Sequence, residues 1–144
     1  MIDSAKLKNA LKHLELQYAN HQHAQVRPEL TQIDREAIAE SVIQRFETAY
    51  DILWKDFKRH LIDALGLPDV PNSPKPILKP ILKLAGENDV LAAPVATWLA
   101  YADARTATAH DYSGEKAAET LEIVDAFIQD AIKLYQTITG NTWA

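Results

Sequence analysis

Between Asp34 and Leu65 the apolar residues fall at Ile38, Val42, Phe46, Ala49, Leu53, Phe57, Leu61 and Ala64, always three or four apart. Residues at that spacing share one face of an α-helix, so the series defines a single stripe about nine turns long. Ile43, Tyr50 and Trp54 widen it. A strand, in which only residues an even number apart share a face, would split Phe46 from Ala49 and Leu61 from Ala64, and no strand alternation occurs elsewhere in the chain. This stretch is therefore the longest helix and the spine of the core, and the other segments must supply apolar faces that cover it.

The chain has four glycines, Gly66, Gly86, Gly114 and Gly140, and each stands where an apolar helical period starts or stops, as C-caps and turns require. A first helix is expected from Asp3 to about Ala24, with Leu7, Ala10, Leu11, Leu14 and Tyr18 on one stripe, and Pro28 closes it. The proline-rich segment 66–73 reads as a loop, and Ser73-Pro74 as an N-cap followed by proline at the first position of a short helix. Pro76 fits that first turn; Pro80 lies beyond it, so the element is either kinked or begins near Lys79. An alanine-rich helix follows to about Ala109, with Pro94 either kinking it or marking its start. The last helix runs from Gly114 to Thr139, with Leu121, Val124, Phe127, Ile128, Ala131, Leu134, Tyr135 and Ile138 inward and Gly140 just past its end. The expected fold is an all-α, up-and-down antiparallel bundle of about five helices, one domain over 1–144. Alanines 92, 93, 96, 100, 104, 107 and 109 leave one helix thin enough for close approach by another backbone, a surface suited to a homodimer.

With 144 residues, 47% hydrophobic and 24% charged, the chain has the composition of one globular domain. A domain of this size buries about two-thirds of its unfolded surface, enough for a core without metal or disulfide. The absence of cysteine excludes disulfides, thiolate nucleophiles and zinc ribbons. Charges interrupt every apolar run, including the first thirteen residues, so neither a membrane span nor a signal peptide is expected, and the reading is cytoplasmic. A net charge of -5 argues against a general nucleic-acid binder but leaves room for a local basic cleft. Lys75, Lys79 and Lys83, spaced by four, form either such a track for RNA or a plain solvated face.

Five histidines are the groups that titrate near neutral pH. His21 and His23, two apart, lie on opposite sides of a helix and make a poor chelate; no metal site is expected there. His13 and His60 read as solvated or helix-terminal. His110 differs in its surroundings, Arg105-Thr106-Ala107-Thr108-Ala109-His110-Asp111-Tyr112, at the end of the alanine-rich helix. In a regular helix Arg105 and Tyr112 share a stripe, whereas Arg105 and His110 are about 140° apart and meet only if the last turn unwinds. The plain alternative is that Arg105 and His110 complement the negative end of the helix dipole with Tyr112 packed beneath them.

The run R-x-x-x-x-H-x-Y from Arg105 to Tyr112 resembles the motif of HepT-like proteins in the HEPN superfamily, a group also labelled nucleotidyltransferase substrate-binding proteins. The stretch from Glu40 to Lys55, with Ile-Gln-Arg-Phe-Glu ahead of an aromatic residue and a Trp-Lys pair, is similar to that family's long second helix. Ser73-Pro74 and Trp98-Leu99 have counterparts too, so the resemblance spans about residues 5–140. It implies a metal-independent endoribonuclease, without cofactor, acting as the toxin of a HEPN/MNT toxin–antitoxin pair, with a nucleotidyltransferase as antitoxin and RNA as substrate. Arg105 and His110 match the catalytic pair, and Tyr112 matches the tyrosine that the partner modifies with AMP. A histidine near neutrality can move a proton at the ribose 2′-hydroxyl or the leaving oxygen, and an arginine fork can stabilise the charged phosphorane. An adenylyl group beside His110 would exclude RNA by bulk and charge. The resemblance also implies a homodimer within a hetero-oligomer. Thr106 stands where the family often has asparagine. Asp103, Glu47 and Asp51 are candidates to orient Arg105 or His110, with solvated carboxylates as the alternative. The rival functional reading is a non-catalytic substrate-binding subunit of a two-component nucleotidyltransferase.

Overall fold

The computed structural model describes residues 4–66, 93–108 and 114–143. Four helices occupy them: α1 (Ala5–Ala24), α2 (Gln32–Leu65), α3 (Val95–Thr108) and α4 (Gly114–Thr139). Among the described residues every regular element is helical, in the up-and-down arrangement that the apolar periods predict. The short helix expected after Ser73-Pro74, with Pro76, Pro80 and the lysines at 75, 79 and 83, lies outside the described residues.

Helix boundaries follow local chemistry. Helix α2 begins two residues before the expected Asp34 because Thr31 and Asp34 close a reciprocal capping box. The Asp34 backbone N–H donates to the Thr31 hydroxyl at 3.1 Å, and the Thr31 N–H donates to the Asp34 carboxylate at 2.9 Å. At its other end Gly66 sits at φ 63°, and its N–H reaches the Ile62 carbonyl at 3.0 Å, so the αL cap that glycine permits ends the helix. Pro94 marks the start of α3: its carbonyl accepts the Thr97 N–H at 3.0 Å, and the helix proper begins at Val95. Helix α4 spans the expected range and ends on Gly140, at φ 72°. Ser4 occupies the N-cap position of α1, yet its hydroxyl does not cap. It donates instead to the buried Asp56 carboxylate at 3.0 Å, pinning the start of α1 to the far end of α2.

Helices α2 and α4 form the centre, each packed against the other three elements. The core is their shared interior: Leu7, Leu11 and Leu14 from α1 meet Val42, Phe46, Leu53 and Phe57 from α2 and Val124, Ala131, Leu134 and Ile138 from α4. Phe127 is its aromatic hub. Its ring lies 4.9 Å from Phe46 and 5.3 Å from Tyr101, both edge-to-face, the arrangement that matches a positive ring edge to a negative face. Trp98 stacks edge-on to Tyr101 at 5.3 Å and completes the cluster. The inward stripe of α3 thus starts as Trp98 and Tyr101 and continues, at the same spacing, to Arg105 and Thr108.

Candidate functional site at the end of helix α3

The apolar part of the α3 stripe fixes where its polar part must go. Tyr101 is buried and donates its hydroxyl to Asp130 on α4, which sets the rotation of α3 about its own axis. One turn later the same face carries Arg105, and it meets α2 at two acids that are four residues apart and therefore side by side, Glu47 and Asp51. The guanidinium engages both. Nη1 donates to Glu47 Oε2 at 2.7 Å, while Nε and Nη2 donate to the two Asp51 oxygens, each at 3.0 Å, in a bidentate fork.

The two carboxylates are not equivalent. The Glu47 side chain is 10% exposed and that of Asp51 is 57% exposed, so one lies inside the helix interface and the other at the rim. Glu47 Oε2 also accepts from the buried Thr108 hydroxyl at 3.0 Å. The Arg105 carbonyl, 3.2 Å from the same hydroxyl, is an alternative acceptor for its single proton. A single oxygen on α2 thereby ties down two residues in the last turn of α3. Tyr50, next along α2, has its phenol pushed up to about 12, first by burial and then by the Asp51 and Asp103 charges, against which the Arg105 charge works. One guanidinium facing two carboxylates leaves this trio net negative.

Several expected site residues find their places here. Arg105, Glu47 and Asp51 come together. Asp103 is exposed, and its charge acts on the Tyr50 phenol. Thr106 turns back on its own helix and donates to the Ala102 carbonyl at 3.0 Å. His110 and Tyr112, which follow α3 in the sequence, lie outside the described residues. Thr108 is the site residue that sequence reasoning missed; its signal was its position three residues beyond Arg105, on the stripe that runs back to Trp98. His21 packs beside the Tyr18 ring at 6.3 Å, and burial lowers its pKa, as it does that of His60. His13 and His23 are exposed. Among the described residues no group of three or more histidine or acidic side chains is placed to hold a metal ion, and no helix is long and apolar enough to cross a membrane.

Comparison with known proteins adds a family to this geometry. A family model described as "nucleotidyltransferase substrate binding protein like" matches residues 3–139. Among solved structures, the chain is similar to HI0074 from Haemophilus influenzae, described as having the fold of a substrate binding domain of a nucleotidyltransferase. The TM-score is 0.81 at 24% identity, over 94% of this chain and 98% of that one. At that identity the likeness shows the shared helical fold. No curated protein matches the chain.

Proposed function

Since the chain belongs to the nucleotidyltransferase substrate binding protein-like family, we propose that it is the helical, substrate-binding subunit of a two-component nucleotidyltransferase whose catalytic component is a separate chain. The observation that carries this reading is the neutralisation of Arg105 by Glu47 and Asp51. An arginine engaged by two carboxylates is a structural anchor for the end of α3, and that end leads directly into the connection between α3 and α4. The subunit offers this end of the bundle to its partner, with Tyr112 as the acceptor. In the transfer the phenolic oxygen attacks the α-phosphorus of ATP, a new O–P bond forms, pyrophosphate leaves, and the phenol proton passes to a base. The transferase component supplies the metal-assisted chemistry of that step.

A second reading is favoured by the Arg105-x-x-x-x-His110-x-Tyr112 run itself. In it the unmodified protein is a toxin that cuts RNA, His110 moving the proton of the 2′-hydroxyl while Arg105 stabilises the phosphorane, and the antitoxin silences it by modifying Tyr112. Two such sites facing each other across a homodimer would suit the alanine-rich outer face of α3. Both readings share the partner and differ in what the free subunit does.

Intact mass after incubation with the cognate nucleotidyltransferase, ATP and magnesium tests the proposal. A gain of one or more AMP units in wild type, absent in Tyr112→Phe, is expected. A stable complex without any gain would retain the binding role and remove Tyr112 as acceptor; no complex would overturn the partner reading. Growth arrest on expression alone, relieved by His110→Ala, would establish the toxin.

A further inference from the structure

The Arg105 fork joins one exposed and one buried carboxylate, and that asymmetry has a chemical meaning. Nε and Nη2 form the edge of a guanidinium that receives two oxygens of one anion in parallel, and a carboxylate and a phosphate group fit the same edge. Here Asp51 fills it, at 3.0 Å on each side, with a side chain 57% exposed. Glu47 holds the remaining nitrogen, Nη1, at 2.7 Å, from inside the helix interface and with Thr108 on the same oxygen. Water reaches the exposed Asp51 carboxylate and competes for both of its bonds, whereas the desolvated Glu47, bonded twice, is hard to displace.

We propose that Asp51 is a displaceable gate, an internal anion occupying the phosphate edge of Arg105, and that Glu47 is the fixed positioning residue that keeps the guanidinium aimed while Asp51 leaves. The inference deepens the second reading of the preceding section, in which Arg105 meets a phosphate, and rests on that reading. An incoming phosphate, from a free nucleotide or from a nucleic-acid backbone, takes over the Nε and Nη2 bonds as Asp51 turns into water. No helix has to move, because the Glu47 contact with Arg105 and Thr108 persists. The gate keeps resident anions off the arginine and lets through ligands that bring further contacts of their own.

The test is a double-mutant cycle read by direct binding. Affinities for inorganic phosphate, adenosine 5′-monophosphate and a short all-deoxy oligonucleotide are measured on wild type, Asp51→Asn, Arg105→Lys and the double variant. The Nε–H resonance of Arg105 is followed by NMR in the two chains that keep it. Asn preserves the shape of Asp and removes its charge, so Asp51→Asn is expected to tighten binding by about fivefold, the upper end for an exposed pair. The gain should vanish in the Arg105→Lys background, where the fork is absent but the positive charge remains. Tightening of the same size in that background would mean that Asp51 acts only as a general negative charge, and would overturn the gate. So would unchanged affinity in Asp51→Asn if Arg105→Lys still loses binding, and the phosphate reading would then stand alone. Binding that ignores Arg105→Lys and leaves the Nε–H resonance unmoved would overturn both. Tightening confined to the nucleotide or to the oligonucleotide identifies the source of the phosphate. Asp51→Ser, measured in parallel with thermal melts, guards against an effect of the amide or of folding.

Discussion

Glu47 and Asp51 are the same chemistry four residues apart, yet their surroundings assign them different roles. Removing Glu47 strips an acceptor from Arg105 and from the buried Thr108 hydroxyl together. Glu47→Ala is therefore expected to cost about 1–3 kcal/mol of unfolding free energy, and Asp51→Ala no more than about 1 kcal/mol, as read by urea denaturation. Equal losses would contradict the interior and rim assignment. Tyr50 allows a second test at this scale. Its folded pKa of about 12 lies above the ordinary 10, so between those values the folded protein keeps a proton that the unfolded chain has lost. Stability is thus fully present below pH 10 and falls as pH rises toward 12. Tyr101, raised by burial and by its bond to Asp130, adds a change of the same sign. Melting temperatures of wild type should drop more steeply over this alkaline range than those of Tyr50→Phe, which has no phenol to titrate.

Among the elements, α2 carries the most because its ends are closed by different means. The Thr31–Asp34 box satisfies otherwise unpaired N–H groups at the start, and Gly66 turns the chain out of the helix at the end. Thr31→Ala is expected to lower stability by about 1 kcal/mol, visible in the same denaturation assay. The Asp34 carboxyl is held below its usual range by hydrogen bonds from the Thr31 backbone and side chain. The cap is accordingly intact at neutral pH and weakens in acid, as pH falls through that lowered value. This box was readable in the sequence as Thr31-x-x-Asp34 but is easily passed over, because Asp replaces the more usual Glu or Gln at its third helical position. Pro94 shows the opposite case: a proline ahead of an apolar period fits both a kink and a start, and only the placement of α3 distinguishes them.

For the whole molecule, stability is concentrated where α2, α3 and α4 share one aromatic cluster. Phe127 is fully buried and contacts rings from both neighbouring helices. Phe127→Ala is expected to cost about 3–5 kcal/mol through lost transfer energy and a cavity that rigid helices fill poorly. Leu16→Ala, at a site 68% exposed, should stay within about 0.5 kcal/mol of wild type. Loss of tertiary structure in Phe127→Ala should also release α3, which would appear as increased amide exchange around Arg105 and Thr108 before α1 is affected.

The apolar periods alone establish that this chain is helical, where its long helices run, and which faces they bury, because the spacing of apolar residues is a local property that survives in any packing of those helices. It also marked the end of α3 as chemically unusual, through Arg105 and the residues that follow it. What it left open was the partner of Arg105. Glu47 and Asp51 lie more than fifty positions earlier in the chain, and on α2 alone they are two solvated acids among many. Only when Tyr101 and Phe127 lock the rotation of α3 against α2 and α4 does the guanidinium land between those carboxylates, one inside the interface and one at its rim. Distance and burial, which divide the pair into an anchor and a gate, are properties of the assembled helices and of no single segment.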